Sequence, residues 1–267
     1  MRRSLSLLLA TAAVALLGSS ATAAAQSPGV PPPGTNDYSC RSAAHPTPVI
    51  LVHGTFADQT ISWNLIAPRL KAAGYCLFSL DLVARGTAPM DQSADKLAAF
   101  ARDVLARTGA AKVSFVGHSQ GGMLPRYVAK FKGLLDQTED IVGLAPSNHG
   151  TIQPLAIPAG VVCPACLEQL AGSPFMQRLN AYPEAPEPID YTNVTTRYDE
   201  VVIPYTSGFL SGPAEVTNVT LQSRCPNDVT DHLGIIYDPI AVLWIKNALG
   251  RTGPADPNFR PNCLGIG

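Results

Sequence analysis

The chain has 267 residues and a formal net charge of −1, with 19 Lys and Arg residues against 20 Asp and Glu residues. This balance gives no basic field, so nucleic acid is excluded as an expected partner. Only 15% of the residues are charged and 46% are hydrophobic. A composition of this kind suits a compact extracellular protein whose surface tolerates apolar ligands.

The N-terminus has the pattern of a secretory signal peptide. Two arginines follow Met1, an apolar run covers residues 5–17, and small residues at 21–25 suit signal peptidase. We predict cleavage after Ala25, so that the signal peptide covers residues 1–25 and the protein is secreted. The alternative is an uncleaved N-terminal anchor. No later segment has the length and apolarity of an integral membrane span.

The mature chain is predicted to contain an arm and one domain. Residues 26–44 are rich in Pro and Gly, and Pro31 to Pro33 favour an extended conformation. Residues 45–267 fit a single α/β domain. We expect a monomer.

Six cysteines in an exported chain predict three disulfide bonds. The sequence alone leaves their connectivity open, although Cys163 and Cys166 are close enough for a local bond. The same pair resembles a redox C-x-x-C motif, but it lies in a stretch rich in Pro and Ala rather than opening a helix after a strand. A zinc site is also disfavoured, because His149 is the only further soft ligand nearby.

Apolar runs and helical periodicity alternate along the chain. Strands are predicted at 48–52, 75–80, 112–116, 141–145, 191–198 and 216–222, and helices at 63–73, 93–108, 121–132 and 239–249. The proline-rich segment 152–188 interrupts this order and is predicted to be a cap-like insertion over the site. The alternation predicts an α/β fold with a mostly parallel sheet, helices on both faces, and ligands at the carboxyl ends of the strands.

Residues 117–121 read Gly-His-Ser-Gln-Gly and fit the G-x-S-x-G nucleophile elbow of the α/β-hydrolase fold. The pattern alone is weak. Its context is informative, because a buried strand runs into it and a helix runs out of it. Ser119 is therefore the predicted nucleophile.

A serine hydroxyl needs a histidine to take its proton and a carboxylate to orient that histidine. Only His149 and His232 follow Ser119 in the chain, and His149 comes too early to have an acidic strand end before it. His232, just before the last helix, is the predicted general base. His53 and His118 flank the turns that shape the site, and His45 is expected at the surface.

Asp199 is the predicted orienting carboxylate, because it directly follows a predicted strand and has a short side chain. The alternative acids are Glu200, Asp190, Asp228 and Asp231. For the oxyanion, the fold uses the N–H after the nucleophile and one from the loop after an early strand. These are Gln120 and Thr55, and the Thr55 hydroxyl is a candidate third donor.

Together these segments resemble the secreted bacterial triacylglycerol lipases of the class 2 group and, more distantly, yeast lipase B. The matching segments are 51–55, 117–122, 145–151, 198–204 and 231–232. The resemblance implies a Ser119, Asp199 and His232 triad with Thr55 and Gln120 at the oxyanion hole. It also implies disulfide bonds Cys40–Cys76 and Cys225–Cys263. Cys163 and Cys166 are left as the third pair, and in this pair the chain departs from the yeast enzyme. Segment 152–188 departs from the family pattern.

The predicted function is hydrolysis of carboxylic esters or lipids through an acyl-enzyme, with no cofactor and no metal. The substrate is an ester or lipid, with an oil–water interface as one setting. The alternatives are a cutinase-like polyester hydrolase, a short-chain esterase, an acyltransferase, a peptidase, or a non-catalytic binding protein with the same fold.

Overall fold

The computed structural model describes residues 28–153 and 162–265. The predicted signal peptide and its cleavage point lie outside these ranges. The described strands are β1 (Val49–Val52), β2 (Leu77–Leu80), β3 (Val113–His118), β4 (Thr138–Leu144), β5 (Asp190–Thr195) and β6 (Val216–Thr220). The described α-helices are α1 (Gln59–Trp63), α2 (Ile66–Ala72), α3 (Met90–Thr108), α4 (Gln120–Phe131), α5 (Pro164–Glu168), α6 (Pro174–Asn180), α7 (Leu221–Arg224) and α8 (Pro239–Leu249).

The six strands form one sheet in the order β2-β1-β3-β4-β5-β6, and every neighbouring pair is parallel. The predicted α/β fold is confirmed. Because all strands run the same way, their carboxyl ends share one edge of the sheet. The loops at that edge carry the site described below.

The sheet is covered on both faces, which explains the continuous apolar runs of its central strands. In β1, Ile50 and Val52 pack into a core with α3 and α4, whereas Val49 and Leu51 pack into a second core with α2 and α8. All four side chains are buried. Each contributes about 1.5–3 kcal/mol of transfer free energy, so β1 is held firmly beneath the loop that follows it.

The prediction of one helix over 63–73 is wrong, because the structure has two short helices, α1 and α2, separated at Asn64 and Leu65. Pro68 is the third residue of α2. Proline lacks a backbone N–H and is best accommodated in the first turn of a helix, where that N–H would have no partner. Pro68 therefore favours a helix that starts just before it.

Two predicted strands also end early. Strand β5 ends at Thr195 rather than at 198, and β6 ends at Thr220 rather than at 222. These two residues form the last pair of their register. The residues after Thr195 and Thr220 have no pairing partner in the sheet. Residues 196–200 therefore form a loop at the carboxyl end of β5 instead of extending the strand.

The described part of the arm packs along the sheet edge. Thr35 forms a parallel bridge to Leu77, and the Asn36 side chain donates to the Ser79 carbonyl and accepts from the Ser79 N–H. The arm thus covers the edge strand β2 and shields its backbone groups from other chains.

In the described ranges, no helix has the length and apolarity needed to cross a membrane.

Three disulfide bonds are present: Cys40–Cys76, Cys163–Cys166 and Cys225–Cys263. The first ties the arm to the chain just before β2, and the last ties the segment after β6 to the C-terminal tail. Cys163–Cys166 lies in the insertion, where helices α5 and α6 are the described elements. Residues 154–161 of the insertion lie outside the described ranges.

Candidate active site

Ser119 is the single residue between β3 and α4, and its backbone has φ 54° and ψ −121°. Non-glycine residues avoid this region at a cost of about 1–3 kcal/mol, and such strain concentrates at functional sites. A Cβ on Gly117 would lie 1.8 Å from the Gly121 carbonyl oxygen, and a Cβ on Gly121 would lie 2.1 Å from the Val52 carbonyl oxygen. Both positions therefore require glycine, and the tight turn holds the serine at the sheet edge.

The structure brings His232 and Asp199 together. The Nδ1 atom of His232 lies 2.9 Å from each carboxylate oxygen of Asp199. The side chains are 3% and 1% exposed. A carboxylate oxygen can only accept, so Nδ1 carries the proton and Nε2 is left as the basic nitrogen. Asp199 is itself held by the N–H groups of Val201 and Val202, at 3.0 and 2.7 Å.

The competing acids have other partners. Glu200 accepts the backbone N–H of His232 at 3.1 Å, and Asp231 accepts that of Gly234. Asp228 accepts the N–H of Thr230, while Asp190 begins β5 at the opposite end of the sheet. The geometry therefore selects Asp199 as the acid against the imidazole.

Ser119 and His232 line the same cavity of about 370 Å³. Among the described residues, no hydrogen bond joins the Ser119 hydroxyl to the imidazole, and such contacts commonly tighten only when substrate is bound. The remainder of the cavity wall is mainly apolar: Phe56, Ile61, Val201, Leu233, Ile236 and Tyr237. Leu233 is 62% exposed, so the cavity opens through an apolar rim.

Two backbone N–H groups predicted for the oxyanion flank Ser119. Gln120 is the first residue of α4, so its N–H has no acceptor within that helix. Thr55 follows β1 in the loop facing the elbow, and its N–H donates no hydrogen bond within the described residues. Thr55 lines the cavity beside Ser119. Gly54 permits this approach, because a Cβ there would lie 3.1 Å from the Ser119 Cβ.

His118 is buried directly against the His232 ring, with ring centroids 4.8 Å apart. Its Nε2 atom lies 2.9 Å from the His232 carbonyl oxygen and donates to it. Burial, with the nearby His232, lowers the pKa of His118 to about 3. His118 is therefore neutral at ordinary pH and anchors the His232 loop without repelling a charged imidazole.

The other histidines have structural partners. His53 is buried, with Nδ1 donating to the Gly54 carbonyl and Nε2 accepting from the Leu82 N–H. Desolvation lowers the pKa of His53, so it too is held neutral. His149 lies 3.3 Å from Glu184, a contact that raises its pKa. It bonds to the insertion and the following loop rather than to Ser119.

Two residues near the site make contacts that could not be predicted from the sequence. Glu200 supports the backbone of His232 as described above. Gln169, at the end of α5, donates to the Thr55 hydroxyl oxygen at 2.9 Å. A lone glutamine in an irregular, proline-rich insertion has no motif, and only the folded contact reveals it.

A parallel sheet with helices on both faces, a strained serine between a strand and a helix, and a histidine–aspartate pair from later loops define an α/β-hydrolase fold. Residues 46–244 match the family described as Lipase (class 2). This match spans more than half of the chain, so the chain belongs to that family. The resemblance stated from the sequence is confirmed.

Similar proteins include a triacylglycerol lipase of Pseudarthrobacter phenanthrenivorans, 39% identical over 93 residues, which are 33% of this chain and 29% of the relative. A triacylglycerol lipase of Vibrio cholerae is 33% identical over 89 residues, which are 32% of this chain and 28% of the relative. The chain thus spans less than a third of the length of these relatives.

Solved structures share the fold. Aspergillus fumigatus lipase B superposes with a TM-score of 0.72 at 23% identity, covering 79% of this chain and 54% of that one. Bacillus licheniformis lipase BlEst2 in its propeptide form gives a TM-score of 0.61 at 17% identity, covering 85% and 54%. At these identities the likeness concerns the fold alone.

Proposed function

We propose that the protein is a carboxylic ester hydrolase of the triacylglycerol lipase or carboxylesterase kind. Ser119 is the nucleophile, His232 the general base and Asp199 the orienting carboxylate. One observation carries the proposal: His232, which contacts Asp199 at 2.9 Å, lines the same cavity as the strained Ser119. Membership of the Lipase (class 2) family supports it.

In the proposed mechanism, the Ser119 hydroxyl oxygen attacks the ester carbonyl carbon while Nε2 of His232 takes the hydroxyl proton. The tetrahedral intermediate collapses, the bond to the leaving alcohol breaks, and Nε2 returns the proton to the alcohol oxygen. Water then attacks the acyl-enzyme with the same proton transfers, which releases the acid and regenerates Ser119. No cofactor or metal takes part.

The charge that develops on the carbonyl oxygen is stabilised by the N–H groups of Gln120 and Thr55. Donors fixed in place before the reaction need no reorganisation as the charge forms, and each contributes on the order of 10²–10³ in rate. Asp199 keeps Nδ1 protonated and stabilises the imidazolium that forms. Since it is nearly inaccessible to water, its hydrogen bonds are not weakened by competing solvent.

The proposed substrates are esters with an apolar acyl group, including triacylglycerols. The apolar wall and exposed rim of the cavity support this choice, because apolar atoms gain most by leaving water. The relatives named above are triacylglycerol lipases. Binding at an oil–water interface and the action of the protein as a monomer are further parts of the proposal.

We infer that the protein is exported. Three disulfide bonds suit an oxidising compartment. The N-terminal pattern of residues 1–25 supports export by a cleaved signal peptide, followed by an arm over 26–44 and a catalytic domain over 45–267. N-terminal sequencing of the protein from culture medium tests the cleavage after Ala25.

Release of p-nitrophenol from acetyl, octanoyl and palmitoyl esters by the purified protein tests the proposed function. We expect hydrolysis that Ser119→Ala reduces by at least about 10³-fold. Ser211→Ala is the matched control, because Ser211 is an exposed serine outside the cavity. Absence of hydrolysis by the folded protein, or full activity in Ser119→Ala, contradicts the proposal.

Chain length then separates the related functions. Preference for long acyl chains and for emulsified triacylglycerol supports a lipase, whereas activity confined to soluble short-chain esters supports an esterase. Release of acid from a solid polyester supports the cutinase-like alternative. Transfer of the acyl group to an added alcohol in preference to water supports an acyltransferase.

A further inference from the structure

A second cavity, of about 280 Å³, lies at the opposite end of the sheet from Ser119. Its walls come from the segment before β1, from Tyr75 just before β2, from the first residues of β3 and β4, and from the C-terminal end of α8. These are the amino ends of the strands. The cavity therefore shares no wall with the candidate active site.

Asp140 reaches this second cavity with one oxygen unused. It is 6% exposed and lines the cavity. Its Oδ2 accepts from the Ser114 hydroxyl at 2.8 Å, whereas its Oδ1 accepts no hydrogen bond from residues 28–153 and 162–265. Most buried polar atoms have a hydrogen-bond partner, because an unsatisfied one is costly. The free oxygen therefore indicates a place for a donor from outside the chain.

Tyr75 presents a second oxygen to the same cavity. It is 3% exposed, and within the part of the chain that the structure describes its hydroxyl forms no hydrogen bond. The hydroxyl oxygen would lie 3.7 Å from a Cβ on Gly250, which lines the cavity. Burial, with the charge of Asp140, raises the pKa of Tyr75 to about 12, so the group stays neutral. His45 stacks on the Tyr75 ring, with centroids 3.8 Å apart, and holds it in place.

The charges around the cavity are mainly negative. Glu139 also lines it and accepts from the Thr47 hydroxyl. Among the described residues, no Lys, Arg or His nitrogen lies within 4.0 Å of the carboxylate of Asp140 or Glu139. Arg251 is at the cavity wall, but its guanidinium donates to the Pro254 carbonyl. The two acids therefore favour a ligand that carries a positive charge.

An organic ammonium ion fits this cavity better than a metal ion. Ca²⁺ and Mg²⁺ take about six or more oxygen ligands, and the described residues contain no group of three or more His, Cys, Asp or Glu side chains placed to hold a metal. An ammonium group needs only acceptors for its N–H donors. The wall also offers apolar surface that an alkyl chain would cover: Ala44, Pro46, Val49 and Leu249.

We propose that the cavity at the amino ends of the strands binds a short primary alkylammonium ion. Its nitrogen donates to Asp140 Oδ1 and to the Tyr75 hydroxyl oxygen, and its chain lies against Val49 and Leu249. The site is separate from the proposed ester hydrolysis and does not depend on it. Because the ion binds the folded protein, it raises the free energy of unfolding.

A titration of the methyl-labelled protein with butylammonium chloride at pH 8, followed by NMR, tests the site. At this pH Asp140 is ionised, since burial raises its pKa to about 7. We expect the methyl signals of Val49 and Leu249 to shift and to saturate with a Kd of about 1 mM, a modest affinity for so small a ligand. 1-Butanol has the same chain without the charge and should bind at least about 10-fold more weakly.

Two variants remove one polar group each. Asp140→Asn keeps the shape of the side chain and removes its charge, and we expect at least about 10-fold weaker binding. Tyr75→Phe keeps the ring against His45 and removes the hydroxyl, and we expect about 3–10-fold weaker binding. The matched controls are Asp136→Asn and Tyr182→Phe, an exposed acid and an exposed tyrosine outside the cavity, which should bind as the wild type does. A melting temperature for each variant shows that it is folded.

Three results would overturn the site. The first is unchanged Val49 and Leu249 signals at amine concentrations up to about 100 mM. The second is equal affinity for butylammonium and 1-butanol, and the third is undiminished binding in both folded variants. Shifts confined to Leu233 and Ile236, which line the active-site cavity, would also contradict it. Ester hydrolysis is measured separately, so failure of this site leaves the proposed function standing.

Discussion

Asp199 illustrates how one carboxylate is fixed from two sides. Two backbone N–H groups, from Val201 and Val202, hold one oxygen, while His232 contacts both oxygens. Side-chain rotation is therefore restricted, and the imidazole is presented in one tautomer. The neighbouring Glu200 is exposed and supports only the His232 backbone.

Asp199→Asn is expected to lower kcat by about 10³–10⁴-fold, because an amide NH₂ against Nδ1 favours the wrong imidazole tautomer. Steady-state kinetics on a soluble p-nitrophenyl ester measure this effect. Glu200→Gln is the matched control: its amide oxygen still accepts the His232 N–H, so kcat should change by less than about 10-fold. Equal losses in both variants would contradict the assignment.

The sequence identifies Ser119, His232 and Asp199 because each occupies a position that the fold defines by chain order. It leaves Asp199 in competition with Glu200, since both follow the same strand. Only the folded loop shows which carboxylate faces Nδ1. Gln169 has no such ordered position, and its contact with Thr55 depends on how the insertion folds over the site.

At the scale of elements, the turn between β3 and α4 is stabilised by close backbone packing rather than by side chains. Gly121 lies against the carbonyl of Val52, so α4 and β1 approach as closely as two backbones can. The elements around this turn are predictable, because buried strands and helical periodicity leave clear patterns. The division of α1 from α2 was not predicted, because the apolar pattern of this segment takes no account of Pro68, which favours a new helix start.

Gly121→Ala is expected to destabilise the fold and lower kcat by more than about 100-fold, because its Cβ would overlap the Val52 carbonyl and displace Ser119. Gly109→Ala at the end of α3 is the control. Gly109 has φ 72° but open space around it, so backbone strain alone should cost about 1–2 kcal/mol. Thermal melting and kcat of both variants distinguish backbone strain at Gly109 from steric overlap at Gly121. Normal activity of Gly121→Ala would contradict the proposed role of this close packing in placing Ser119.

At the scale of the whole molecule, the two ends of the sheet have different roles. The carboxyl ends carry the candidate site, while the opposite end buries an acid, Asp140 of β4. Asp140 is 6% exposed and accepts a hydrogen bond from the Ser114 hydroxyl at 2.8 Å. Desolvation, with repulsion from Glu139 and Asp190, raises the pKa of Asp140 to about 7.

The sign of the resulting pH dependence follows from proton binding. Between pH 4 and 7 the folded protein binds more protons at Asp140 than the unfolded chain, so stability falls as pH rises through this range. Below about pH 4, Asp140 is protonated in both states and does not lower the free energy of unfolding. Above about pH 7 it is ionised in both states, and the cost of its buried charge lowers the free energy of unfolding in full.

Asp140→Asn should therefore match the wild type at pH 4 and exceed its free energy of unfolding at pH 8 by about 2–4 kcal/mol. Urea denaturation at both pH values measures the difference. Asp136→Asn, an exposed acid of the loop before β4, is the control and should show little change. A difference that is the same at pH 4 and pH 8 would contradict the titration of Asp140.

The architecture as a whole is predictable from the sequence because the βα alternation admits few topologies. The disulfide pairs are not fixed by spacing, since the linked cysteines are 36 and 38 residues apart in two of the three bonds. Their partners depend on which loops the folded sheet places side by side. The same holds for Asp140, whose burial follows from packing at the sheet edge rather than from any motif.

Covalent labelling of Ser119 tests the central proposal most directly. The purified protein is treated with a fluorophosphonate and the modified peptide is mapped by mass spectrometry, beside His232→Ala. Activated serine hydroxyls react with such reagents because the base removes their proton. We expect one phosphonyl group on Ser119 and labelling at least about 10²-fold slower in His232→Ala. A folded protein whose Ser119 remains unlabelled would contradict the assignment of Ser119 as the nucleophile. Equal labelling rates in the wild type and in His232→Ala would contradict the role of His232 as its general base.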